Sequence, residues 1–191
     1  KNNGTGKDWG TLEHGKWRPP LDWQHDLWVQ FFIAWVFREK PFGDLEHVLT
    51  EKQLRKSAKM QKIPDAILMV KSGEIYWVEL ERAKKSGAAQ DFMIETALLV
   101  KKNKIEISNM IPSDTIFVVP TDMQDGYGHC INHRKNIEGA LARKSENDML
   151  PLFVEFEQHG ASAVNFKIGE RRTVSSDKVG KVLLQLTGFM K

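Results

Sequence analysis

The sequence predicts an α/β fold in which a mixed sheet is flanked by helices. Three observations predict it. An apolar stripe at helical spacing, Trp28, Phe31, Phe32, Trp35 and Val36, comes first. Two runs rich in strand-forming residues, "DAILMV" and "EIYWVEL", follow on either side of "KSG". A helix-length stretch then leads to "DTIFVVPT", a short apolar run bounded by polar residues and proline, as in a buried strand. Helices and strands mixed in this order bury their apolar faces best as layers, helices on a sheet.

Each element has its own signals. Residues 1–21 are polar and glycine-rich up to Pro19-Pro20 and are expected to form a flexible tail or linker. Its first residue is Lys, and it reads either as a cut or linker after an upstream domain or as a processed N-terminus. Asp22 is a candidate cap for a helix to about Lys40, with Pro41 as its stop. Residues 44–50 read as a short strand and 51–62 as a basic helical or turn segment. Strands at 65–71 and 74–81 form a hairpin through Ser72-Gly73. Residues 87–102 read as a helix capped by Ser86, 114–121 as the buried strand, and 130–144 as a second surface helix. Two strands, "LFVEFEQ" and "AVNFKI", surround an "HG" turn, and a last helix is expected over 177–189, with Val179, Val182, Leu183 and Leu186 on one face. The domain division is a tail at 1–21, a core at 22–150, and strands and a helix at 151–191 that pack on it.

Composition narrows the classes. The 191 residues suffice for one domain with a core. Net charge is +3, so a nucleic-acid partner has to be met by local basic patches. A lone cysteine, Cys130, excludes an internal disulfide and suits a reducing, cytoplasmic setting. The most apolar stretch, 28–37, falls short of the roughly 18–20 residues that span a bilayer, and no membrane partner is expected. No phosphate-binding glycine loop, nucleophile elbow or zinc-protease motif is present.

The hairpin brings acids together. Its first strand opens at Asp65 and its second closes at Glu79 and Glu81, so all three acids fall at one end. Side chains alternate along a strand, which puts Glu79 and Glu81 on one face. Carboxylates drawn to one place repel one another unless a cation joins them, and Mg²⁺ prefers oxygen ligands. The plain alternative is a strand edge of surface acids paired with Arg82, Lys84 and Lys85.

"IPDA" and "VELE" resemble the PD-(D/E)xK nuclease superfamily. The stretch over roughly 22–120 is similar to its plasmid replication-relaxation branch: His25-Asp26-Leu27 opens a helix, then come "TEKQLRK", "IPDAILMV" and "VELERAKKS". The resemblance implies a restriction-endonuclease-like αβββαβ core, with a C-terminal hairpin and helix beyond it. It implies that Asp65 and Glu79 hold Mg²⁺ or Mn²⁺. Glu81 stands where the superfamily carries its lysine, as in some restriction enzymes that have Glu there, and becomes a further ligand or orients water. Lys84 or Lys85 takes the lysine's role. Gln90 faces the site from the next helix, and Glu51 is a fourth acid. The activity implied is hydrolysis of phosphodiester bonds in plasmid or mobile-element DNA, in company with other proteins of a DNA-processing complex. A catalytically inactive module that binds DNA or protein is the alternative, favoured by the missing lysine.

The remaining candidates have two readings each. His25 is either a core histidine or a group at the rim of the metal site. His129, Cys130 and His133 could begin a zinc site, but no Cys-x-x-Cys completes it, and a basic surface helix end is the simpler reading. Lys52, Arg55, Lys56, Lys59 and Lys62 form one basic cluster and Arg82, Lys84 and Lys85 another. Both flank the acids, where phosphates would need neutralising. A third cluster is His133, Arg134, Lys135, Arg143 and Lys144. Trp28 and Trp35 belong to the core; Trp9, Trp17 and Trp23 are free to serve as stacking platforms.

Overall fold

The computed structural model of the protein describes residues 11–13, 16–18, 23–56, 62–81, 85, 87–121, 123–124, 130–144, 150–159, 163–169, 172–174 and 184–186. Helix α1 is Trp23–Glu39 and strand β1 is Leu45–Thr50. A single turn, α2, covers Glu51–Leu54. Strands β2 and β3 are Ala66–Val70 and Ile75–Leu80. Helix α3 is Gly87–Lys101, strand β4 Asp114–Pro120 and helix α4 His133–Lys144. Strands β5 and β6 are Leu152–His159 and Ala163–Ile168.

Six strands form one mixed sheet in the order β6-β5-β4-β3-β2-β1. β1, β2 and β3 are an antiparallel meander, β3, β4 and β5 run parallel, and β6 returns antiparallel to β5. The parallel pairs need crossovers, which α3 and α4 supply. Within the β2–β3 hairpin, Gly73 has φ 102° and its N–H donates to the Val70 carbonyl at 2.8 Å, closing the turn at Ser72-Gly73. A side chain in that conformation would be strained. Helix α1 stops as Lys40 turns to φ 49°, just before Pro41.

The alternation of the strands sorts the core into two faces. Ala66, Leu68, Val78, Leu80, Ile116 and Val118 pack under α1, against Phe32 and Val36. Trp28, Trp35, Phe156 and Phe166 complete an aromatic cluster there, with Trp28 edge-on to Phe156 at 5.1 Å. Both tryptophans are thus core residues, as expected. On the other face Phe117 and Val119 meet Met93, Ile94 and Ala97 of α3 and Ile137, Ala140 and Leu141 of α4. Trp77 and Ile67 lie in a third cluster with Leu54, Val100 and Ile107. β4 is buried along its whole length, with sheet neighbours on both sides and helices on both faces. Burying an apolar side chain of this size stabilises by about 1.5–3 kcal/mol, so β4 anchors the sheet.

Some expectations differ from the structure. The helix expected over 177–189 is not formed where it is described: Leu184–Leu186 is a strand antiparallel to Arg172–Val174. Leu184 and Leu186 also fit a two-residue alternation, and short apolar runs do not separate the two periods. The 1–21 tail contains a ribbon, Thr11–Glu13 against Lys16–Arg18. In the basic 51–62 segment only Glu51–Leu54 is described as helix. The proposed caps Asp22 and Ser86 lie outside the described residues. No described helix is long and apolar enough to cross a membrane.

Candidate functional site

Three acids lie at the carboxyl end of β3. Ala66 pairs with Val78 in the antiparallel register, so Asp65, one residue earlier, comes level with Glu79. Opposed residues in such a pair share a face, with Cβ atoms about 5 Å apart. The Asp65 N–H donates to the Val78 carbonyl at 3.0 Å, and its Oδ2 accepts the Leu80 N–H at 2.7 Å. These two bonds tie the start of β2 to the end of β3. The expected proximity of Asp65 to both glutamates is also felt electrostatically: its charge pushes the pKa of each upward.

His25 reaches Asp65 from α1. Its Nε2 lies 3.4 Å from Asp65 Oδ2 and 3.3 Å from the Leu80 carbonyl oxygen. The hydrogen bond to Asp65 raises its pKa from 6.5 to about 9; burial opposes this, and the Asp65 charge and the Leu80 carbonyl add to it. His25 is therefore a cation at neutral pH, placed at the rim of the acid cluster rather than within the core.

Glu79 is buried. Its Oε1 accepts the Trp77 indole N–H at 2.5 Å and its Oε2 accepts Lys62 Nζ at 2.7 Å. Burial pushes its pKa from 4.5 up to about 7, against the pull of Lys62. Glu81 is buried too, and accepts a hydrogen bond from Lys85. Burial raises its pKa above 4.5, Lys85 and Lys62 lower it, and Asp65 raises it further. Each buried glutamate thus has one lysine. Among the described residues, no three His, Cys, Asp or Glu side chains form a ready metal cluster.

Lys62 was expected to meet phosphate, and Lys85 to meet phosphate or stand in for the superfamily's lysine; both instead neutralise acids. Lys52, Arg55 and Lys56 are exposed, with Arg55 paired to Glu51. Glu51 is half-buried and contributes its backbone N–H to the Asp65 carbonyl at 3.0 Å, so it supports the loop that positions Asp65. Lys59, Arg82 and Lys84 lie outside the described residues.

Gln90 was expected to face the site. It lines a small open cleft with Glu81, Lys85, Met93, His133, Asn136 and Ile137. The cleft lies between the first turns of α3 and α4, at the carboxyl ends of the parallel strands. In open α/β sheets that is where ligands bind. His133 and Arg134 correct the expectation of a basic surface helix end, because both are buried. Arg134 is neutralised by Glu138 and Glu155 and stacks over Phe153, so its charge is compensated inside the fold. His129 lies outside the described residues, and Cys130 sits in a two-residue strand, Cys130–Ile131.

Sequence reasoning missed Trp77 as a partner of Glu79, although their i, i+2 spacing on one strand placed them on one face. It also missed His133 and Asn136 as walls of the cleft. Only the packing of α4 against α3 brings them there. No protein-family model matches the chain, and no curated protein matches it.

Proposed function

We propose that this chain is a metal-dependent DNA endonuclease-type domain of the PD-(D/E)xK kind, hydrolysing phosphodiester bonds in plasmid or mobile-element DNA. The observation that carries the reading is the placement of Asp65, Glu79 and Glu81 at one end of β3, close enough for Asp65 to raise the pKa of both glutamates. The element order supports it: a helix, a three-strand meander, a helix and a parallel strand, in the sequence that a restriction-endonuclease-like core has.

Carboxylate oxygens suit Mg²⁺ or Mn²⁺, and because the three side chains do not converge on one point, the ion would have to draw them together. Asp65 and Glu79 would hold the ion, and Glu81 would complete the set or orient the attacking water. A bound ion supplies polarisation of a phosphoryl oxygen and a bound water of lowered pKa. The chain's own residues do the rest. His25 and the Leu80 N–H fix the Asp65 carboxylate. Trp77 orients Glu79 and keeps water from its buried side. Lys85, beside Glu81, is the cation nearest at hand to stabilise charge developing on phosphate, with Lys84 next to it in sequence. Lys62 and Lys85 balance the glutamates' charge in the meantime.

A second reading has an observation in its favour. Glu81 replaces the expected lysine, and each buried glutamate already has a cation, so the cluster is balanced without metal. A catalytically inactive module that binds DNA or a protein partner fits that balance. One experiment separates the two. Supercoiled, linear and single-stranded DNA are incubated with the chain and Mg²⁺ or Mn²⁺, beside Asp65→Ala, and Mn²⁺ binding is followed by calorimetry. The nuclease reading expects nicking or cutting that Asp65→Ala removes by at least about 100-fold. Folded protein that neither binds Mn²⁺ nor cuts DNA leaves the inactive module.

A further inference from the structure

The nuclease reading uses one side of the acid cluster and leaves the cleft beside it without a role. The cleft walls are Glu81 and Lys85 from the end of β3, Gln90 and Met93 from the start of α3, and His133, Asn136 and Ile137 from the start of α4. Two helices of fifteen and twelve residues therefore begin at one opening. Helix starts favour anions through their free N–H groups and dipoles. Asn132 takes up part of this at α4, its Oδ1 accepting the Lys135 N–H at 2.7 Å.

His133 makes the cleft more than a pair of helix starts. Its side chain lines the cleft and is only 3% exposed, yet its Nε2 has no hydrogen-bond partner among the described residues. A buried polar atom left unpaired costs about 1–3 kcal/mol, which a ligand or water at that atom recovers. Burial lowers the pKa of His133, so the ring is neutral and Nε2 is free to carry the proton as a donor. Gln90 and Asn136 add side-chain amides, and Lys85, whose charge is matched by Glu81, adds an N–H donor. Glu81 is the one acid on the wall among the described residues, and Lys85 neutralises it.

We propose that this cleft is a phosphate seat, in which His133, Asn136, Gln90 and Lys85 hold one oxygen edge of a phosphate or phosphodiester. The proposal deepens the nuclease reading and rests on it for its source, a DNA backbone phosphate adjoining the acid cluster. Free phosphate offers the same chemistry, and the test separates the two.

The test is an NMR titration of the intact chain with its histidine rings labelled with ¹⁵N, at constant ionic strength. Signals are assigned by loss of the His133 resonance in His133→Gln. Inorganic phosphate is added first, with chloride as the control. The expected result is a saturable shift of the His133 ring with phosphate, absent with chloride and weakened at least about tenfold in Asn136→Ala. No shift of His133, or an equal shift with chloride, overturns the seat and leaves a lone water at Nε2. A short DNA duplex is then added to the phosphate-saturated protein. Displacement of phosphate, with His133 still shifted, gives the DNA backbone as the source; phosphate held against excess DNA overturns that part and leaves a site for free phosphate. Asp65→Ala should keep the phosphate response, because the seat does not use Asp65. A phosphate response in the unsubstituted chain that neither binds Mn²⁺ nor cleaves DNA sinks the nuclease reading alone. Cleavage without a phosphate response sinks the seat alone.

Discussion

Lys62 carries the buried charge of Glu79, and two substitutions test how much depends on it. Lys62→Met leaves a buried carboxylate without its cation. The expected loss in urea unfolding is about 3–5 kcal/mol at pH 8. It shrinks at pH 5.5, where Glu79, with a pKa of about 7, takes up a proton. The sign follows from the same shift. A carboxyl raised from 4.5 to about 7 contributes stability that is full below pH 4.5 and lost as pH rises through 7. Glu79→Gln should therefore flatten the stability profile across that window. His25 acts in a higher window. Its pKa rises from 6.5 to about 9, so its contact with Asp65 contributes fully below pH 6.5 and fades as pH climbs through 9. Unfolding followed from pH 6 to pH 10 should show a fall that His25→Gln reduces by roughly 1–3 kcal/mol. An unchanged fall would mean that His25 makes no such contact in solution.

Helix α4 is joined to the sheet through Arg134. Its guanidinium meets Glu138 on its own helix and Glu155 on β5, and its Nη1 passes close to the backbone of Gly169. A Cβ at Gly169 would lie 2.2 Å from that nitrogen. The end of a long side chain can move, but moving it strains the contacts to Glu155 and Phe153. Gly169→Ala should cost about 1–3 kcal/mol in thermal or urea unfolding. A neutral result would show that Arg134 relocates freely and that the ion pairs hold little. Because α4 also walls the cleft, the same variant should weaken phosphate at His133 if the helix shifts with it. At the other end of the helix, Lys144 pairs with Asp91 and Glu95 of α3, which fixes the two helices relative to each other.

At the scale of the whole molecule, the acids, the cleft and the exposed Lys52 and Lys56 all belong to the region around the start of β2 and the end of β3. Lys102 and Lys104, also exposed, follow α3 near the start of β4, at the far end of the sheet. DNA lying over the acid end would release counterions from phosphates contacted there. Reversing Lys52 and Lys56 to Glu should lower affinity for unrelated sequences alike and reduce the salt slope by about 2, near one per contact. Reversing Lys102 and Lys104 should do much less, as measured by fluorescence anisotropy across a salt series. Equal effects from the two pairs would show that net charge alone matters. The overall charge of +3 makes that contrast informative, because attraction has to come from placement.

The sequence by itself determined the β2–β3 hairpin and the buried strand β4, but not that β5 and β6, expected as a hairpin beyond the core, extend the same sheet. It determined the first two because alternation, turn residues and apolar runs are local signals read over a few residues. It also brought Asp65 level with Glu79 and placed Glu79 and Glu81 on one face, since hairpin register is set by the turn between them. The strand at Leu184–Leu186 escaped it, because an apolar run that short fits both periods. Tertiary structure alone decided the rest of the site. His25 is forty residues from Asp65 and meets it only because α1 packs across the sheet. Lys62 and Lys85 looked like phosphate ligands by composition; burial of Glu79 and Glu81 made them counterions, since a buried carboxylate needs a cation and a solvated one does not. His133 read as a surface base, and the docking of α4 on α3 buried it with an unpaired nitrogen, an environment that no local pattern of residues encodes.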